Sequence, residues 1–217
     1  VQEKVGALSD GELQEALALA PPPLGEFWFS ERVGSAKESG KPLMMAEVRK
    51  SRPGAPSEEA AERVRELRDA GWDAVCVRVD SEFSHDGQAD LEAVLAVTVG
   101  ADAASSFPVF AIDWVIHPIQ LAAAAKAGCA GVIGCICQIL GPKGGLQLTG
   151  YAAGLGISAP LEVLNLEETA IAVTGGVPEV AINVNVGISL KIPGFQSDIA
   201  ANLVAELPAD APSYIGV

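Results

Sequence analysis

Three carboxylates stand where apolar runs of this chain meet polar ones, and each has a neighbour that decides what it can do. Glu162 lies between Leu161 and Val163 in PLEVLN (160–165). A carboxylate isolated among aliphatics is costly to ionise, so its pKa rises, which suits a general base. The alternative is an ion pair with Arg49 or Arg78. Glu47 is two residues before Arg49. On a strand the two share a face, either as a buried pair that fixes register or as a pair that binds substrate. Asp113 ends the run in FPVFAIDWVIHPIQ (107–120), which reads as a buried strand, a polar mouth and a helix opening at His117–Pro118. The residue before it, Ile112, neither gives nor takes a proton. His117 precedes a proline at a helix start, where a capping or surface role is expected rather than catalysis. Other polar residues at strand ends are Lys50 and Arg52, Arg78 and Asp80, Asn165, Asn183 and Asn185, and Tyr214. Cys135, Cys137 and Gln138 are weak candidates.

Positioning these residues falls to a recurring unit of apolar strand, loop and alanine-rich helix. Residues 1–40 stand apart as an N-terminal helical extension. LSDGELQEALALA predicts a helix capped by Ser9 or Asp10, and EFWFSERVGSAKESG a second. Phe27, Trp28 and Phe29 are then free to cover the end of a sheet or barrel. Residues 41–217 form a (β/α) domain with seven strands: PLMMAEVR, AVCVRV, PVFAID, GVIGCIC, PLEVLN, EVAINVN and SYIGV. Six are followed by a helical stretch, including SEEAAERVRELRDAG, for which Ser57 is the expected cap. Parallel crossovers of one hand leave two architectures, a doubly wound open sheet or a (β/α)₈ barrel without its eighth unit. No GxGxxG follows the first strand, which disfavours a dinucleotide site. Seven strands leave two edges to be covered.

Composition narrows the partners. Of the 217 residues 49% are hydrophobic and 5% aromatic, as expected for a core of small aliphatics around parallel strands. A net charge of −14 excludes nucleic acid and anionic membranes as general partners. Four cysteines, Cys76, Cys129, Cys135 and Cys137, lie in apolar runs without a CxxC pair and are expected as buried thiols. Cys135 and Cys137 would share a strand face. With two histidines in the chain and neither nearby, no metal is expected, and no cofactor. The window 121–140 has the length of a membrane span but contains Lys126 and is split by Gly128, so an integral membrane protein is not expected. No signal or transit peptide is legible at Val1.

The motifs, in order, resemble those of indole-3-glycerol-phosphate synthase, the (β/α)₈ lyase of tryptophan biosynthesis. AEVRKSRPG (46–54) resembles the family's A-E-[IV]-K-[RK]-x-S-P-S. PVFAIDWVIHPIQ (108–120) resembles P-V-L-R-K-D-F-I-x-D-x-Y-Q. PLEVLNLEET (160–169), VAINVNVG (180–187) and SYIGV (213–217) are similar to the fifth, sixth and seventh strand motifs. The resemblance implies a TIM (β/α)₈-type barrel. It implies a lysine general acid and a glutamate general base that close an indole ring on a phosphorylated carboxyphenylamino-deoxyribulose, with loss of carbon dioxide and water. Glu47, Glu162 and Asn183 match the family's positions. The first-strand lysine is Arg49 here and the phosphate-loop serine is Arg52. The third-strand catalytic lysine is Ile112, the sixth-strand arginine is Asn185, and the seventh-strand glutamate and serine are Tyr214 and Ile215. Gly216 keeps its glycine. Ligand contacts, if retained, fall to Glu47, Arg49, Arg52, Asn183 and Gly216.

General acid–base catalysis contributes about 10² to 10⁴-fold. Isoleucine removes that contribution and adds apolar bulk. The expectation is a pseudoenzyme, a structural or binding subunit of a larger assembly. The alternatives are a lyase of altered residues or a binder of a small phosphorylated ligand. A protein partner would dock on the sheet edges or on the EFWF aromatics, and would be neutral or basic at the contact. The resemblance implies the plastid stroma in a photosynthetic eukaryote and the cytoplasm elsewhere.

Overall fold

The computed structural model describes residues 8–18, 28–80, 86–100, 105–183 and 213–216, with the single positions 6, 84, 203 and 205. Phe27, Asn185 and most of the stretch 198–208 lie outside the described residues, so the expectations placed on them are not addressed. Two compact units divide the chain: Val1–Ile133 with Gly154–Ser158, and Gly134–Ala153 with Ala159–Val217.

Two helices are described near the start of the first unit. α1 (Asp10–Leu17) begins at Ser9, whose hydroxyl accepts from the Glu12 N–H while the Glu12 carboxylate accepts from the Ser9 N–H. This reciprocal box satisfies two of the donors a helix start leaves open. α2 (Trp28–Ser39) brings Phe29 into the core, edge-on to Phe110 with ring centroids 4.9 Å apart. Phe29 is therefore a core residue, and the expectation that it offers a docking surface is wrong at that position. Burying it removes more apolar area from water than any partner-free surface position could.

The sheet of this unit has the order β1 (Met45–Glu47), β2 (Ala74–Arg78), β3 (Val109–Ile112), β4 (Gly131–Ile133), all parallel. Crossovers run through α3 (Ser57–Asp69), α4 (Gly87–Thr98) and α5 (Pro118–Ala127). Val75, Val77, Val109 and Phe110 of the sheet are buried, as are Val64, Leu91 and Leu121 of the helices. The cap of α3 corrects the sequence reading. Its N-cap is Pro56, and Ser57 is the first helical residue, with its hydroxyl donating to Asp90 at 2.6 Å instead of to its own helix.

The second unit continues the pattern with β5 (Cys135–Ile136), β6 (Leu161–Val163), β7 (Val180–Asn183) and β8 (Ser213–Gly216), again parallel and again in chain order. Its helices, among the described residues, include α6 (Cys137–Leu155) and α7 (Leu166–Thr174). Leu161, Val163, Ala172, Val180, Ile182 and Leu203 form its core.

Two local corrections follow. The run GVIGCIC is not one strand: Gly134, at φ 122°, breaks it into β4 and β5, so eight strand segments correspond to the seven runs read from the sequence. Only glycine adopts that φ at little cost. Cys137 is the first residue of α6, so it does not share a strand face with Cys135. The helix bends at Gly141 (φ 67°), just before Pro142, where a proline N-terminal to a helical stretch lacks only a donor that would be unpaired anyway.

In both sheets the strand order never reverses. A doubly wound sheet reverses at a switch point. Monotonic parallel order, with a helix in each described crossover within a sheet, is the winding of a TIM-type α/β barrel. No described helix is long and apolar enough to cross a membrane, and α5 ends at Gly128 as the sequence suggests.

Candidate functional site

Parallel winding brings the carboxyl ends of successive strands to the same side of a sheet, which is where the polar residues of each unit gather. In the first unit the centre of the group is Arg78. Its Nε donates to Glu47 Oε1 at 3.2 Å and its Nη1 to Asp80 Oδ2 at 3.1 Å. Arg49 Nη2 donates to the other Glu47 oxygen at 2.8 Å. Burial alone would raise Glu47, but the hydrogen bonds and charges of Arg49 and Arg78 outweigh it and hold the carboxyl below its ordinary range. Glu47 is therefore ionised and occupied near neutral pH. The Arg49 side chain is 76% exposed, so the pair it makes is a surface one and not the buried register-fixing pair considered above.

Asp113, one residue past β3, is raised by burial and by the charge of Asp80, against hydrogen bonds from Gln120 and the Trp114 N–H. Gln120 Nε2 reaches Asp113 Oδ2 at 2.6 Å and the Trp114 carbonyl at 2.8 Å, while its oxygen accepts from the Ile116 and His117 N–H groups. His117 Nδ1 accepts from the Ile119 N–H at 3.2 Å, which makes His117 the N-cap of α5. The polar groups of FPVFAIDWVIHPIQ thus organise their own turn. Ile112, half-buried, pairs with Arg78 and Ile133 across the sheet.

Lys50 has a different fate. Its ammonium donates to the Ala55 carbonyl at 2.8 Å and faces Asp90 at 3.0 Å and Asp86 at 3.3 Å. Burial would lower its pKa, but the two aspartates outweigh that and raise it. The sequence reading did not single out Asp86 or Asp90, which lie far from Lys50 along the chain and meet it only through the fold.

In the second unit the site is Glu162. It is 2% exposed on β6 and accepts from the Asn183 amide of β7 through Oε2, while Oε1 has no hydrogen-bond partner among the described residues. Burial raises its pKa; the Asn183 amide and the Gly134 N–H oppose that without cancelling it. Cys135, opposite Leu161 in the neighbouring strand, has its thiol pushed up to about 12, by burial first and then by the Glu162 charge. A thiol in that state is not a nucleophile. Cys129 is likewise pushed up to about 12 by burial, and all four cysteines are buried and unbridged. Asn165 is a cap: its side chain accepts from the Glu168 N–H at 2.9 Å, starting α7. The side chains of Tyr214 and Ile215 lie outside the described set, although the backbone of Ser213–Gly216 forms β8. Arg52 is exposed in the loop after β1. Among the described residues no group of three or more His, Cys, Asp or Glu side chains could hold a metal ion.

The sequence profile of the indole-3-glycerol phosphate synthase family matches residues 2–191. The chain belongs to the indole-3-glycerol phosphate synthase family. A curated family member from Opitutus terrae is 26% identical over 180 residues, which cover 80% of this chain and 65% of the relative. The chain thus spans a little under two thirds of that relative's length. Among solved structures it is similar to native KDPGal, with a TM-score of 0.56, 21% identity and coverage of 82% and 74% of the two chains. It is also similar to the tryptophan synthase alpha chain of Legionella pneumophila, with a TM-score of 0.55, 15% identity and coverage of 89% and 78%. These likenesses show the TIM-barrel type of fold in a synthase-family chain.

Proposed function

We propose that this member of the indole-3-glycerol phosphate synthase family is not a working synthase, and that its barrel serves as a binding or structural subunit of a larger assembly. The observation that carries this reading is Ile112 at the carboxyl end of β3, where the family resemblance puts the lysine general acid. No neighbour in the described part of the first unit takes over the proton. Arg78 is engaged by two carboxylates. Arg49 is a guanidinium and stays charged at neutral pH. Lys50 has its three N–H groups turned to Ala55, Asp86 and Asp90, and its raised pKa makes it a poorer acid still.

A second reading, a lyase with altered residues, is favoured by Glu162. The family's general-base position is kept, buried, raised in pKa and left with one oxygen to spare. That is the state of a base awaiting a substrate donor. A binder of a small ligand that uses Glu47, Arg49, Arg52, Asn183 and Gly216 without turnover stays within the first reading.

Two measurements test the proposal. Ile112→Lys in the full-length protein should not restore formation of indole-3-glycerol phosphate, because Tyr214 and Ile215 remain and Lys50 is tied. Recovery of turnover in that variant would favour the altered lyase. Native mass measurement of the protein from its source should find it bound to another chain; a lone monomer would contradict the subunit role.

A further inference from the structure

We infer that Lys50 is a latch that holds the loop after β1 fixed against the first turn of α4, so that the loop is a rigid wall of the sheet end and not a closing lid. The inference concerns this loop's mechanics and stands whether or not the protein turns over substrate. An ammonium has three N–H groups. Lys50 places three acceptors around them, and these come from two places in the chain: the loop itself, at the Ala55 carbonyl, and the start of α4, at Asp86 and Asp90. Lys50 and Asp90 are each only 10% exposed at the side chain, so water competes weakly for the pair.

The rest of the loop is pinned at both ends. Ser51 gives its N–H to Glu59 Oε1 at 2.5 Å and its hydroxyl to Oε2 at 3.2 Å, which ties the start of the loop to the first turn of α3. Burial of the Ala55 side chain, and a turn from the Ala55 N–H back to the Arg52 carbonyl at 3.2 Å, fix the other end. Ser57 and Lys50 both meet Asp90 Oδ1, so the starts of α3 and α4 are held through one carboxylate oxygen. A loop with this many internal partners opens only with the local structure that supplies them.

Hydrogen exchange of the full-length protein tests the latch. In the wild type the Ser51 and Ala55 amides should be protected, and should stay protected when salt is raised to about 0.5 M, since a buried pair is poorly screened. Lys50→Met, which keeps the apolar stem, should speed exchange at Ser51 and Ala55 by about tenfold or more while leaving 74–78 and 109–112 unchanged. Should Lys50→Met fail to fold because Asp90 is left buried and unpaired, Lys50→Met combined with Asp90→Asn removes that charge and keeps an acceptor for Ser57. The same local acceleration is expected there. Unprotected Ser51 and Ala55 amides in the wild type, or unchanged exchange in a folded variant, would overturn the inference.

Discussion

Glu162 is the residue whose environment says most about what the fold retains. A carboxyl whose folded pKa is raised above its unfolded value keeps its proton in the native state over a range where the unfolded chain has lost it. The native state then binds more protons than the unfolded one. Its contribution to stability is undiminished below the unfolded pKa, falls as pH rises from there to the folded pKa, and is level above. Glu162→Gln removes that dependence. Denaturant unfolding at pH 5 and pH 7 should therefore show a larger loss of stability on going to pH 7 in the wild type than in the variant; equal losses would contradict the burial-driven shift. Glu47 behaves oppositely, because Arg49 and Arg78 hold it ionised. Sequence alone singled out Glu162 from its aliphatic neighbours, since desolvation is a local consequence of burial. It did not show that Arg78 would choose Glu47 and Asp80, or that Lys50 would reach Asp86, 36 residues away. Those choices depend on which strand ends approach each other.

At the scale of elements, the legible features were the ones written locally. The Ser9 cap, the His117 cap and the short apolar runs that became β2, β3, β6 and β7 all follow from neighbouring residues, whereas the cap at Asn165 was read only as a polar strand end. The start of α6 was hidden because Cys137 closes the apolar run GVIGCIC, which reads as strand to its end. In the structure Gly145 lies against the Leu161 side chain, where no larger residue fits without displacing it, so packing on β6 outweighs glycine's poor helix propensity. Gly134 was hidden for a related reason: an apolar run gives no sign of where its backbone turns. Gly134→Ala should lower stability by about 1–3 kcal/mol, the usual cost of forcing a side chain into a disfavoured φ, as read by denaturant unfolding. A neutral result would mean the β4–β5 break is not needed. Phe29→Ala should cost about 3–5 kcal/mol, because it empties the space against Phe110. A loss below about 1 kcal/mol would mean α2 is a surface appendage.

For the whole molecule, family membership and the absence of the expected acid point in different directions, and only the chemistry can weigh them. Winding order and profile agree on a synthase-family chain of TIM-barrel type. The strand ends of the first unit, by contrast, spend their cations internally: Arg78 on Glu47 and Asp80, Lys50 on Asp86 and Asp90. A net charge of −14 on the whole chain besides weakens diffuse attraction for a phosphorylated and carboxylated substrate. The most direct test is to incubate the full-length protein with the family's substrate, the phosphorylated carboxyphenylamino-deoxyribulose, beside an active family member, and to measure indole-3-glycerol phosphate formed. No product above the rate without protein is expected, while the active relative converts the substrate fully. Sustained turnover by the unmodified protein, abolished by Glu162→Gln, would contradict it and show that the barrel works without a lysine on its third strand.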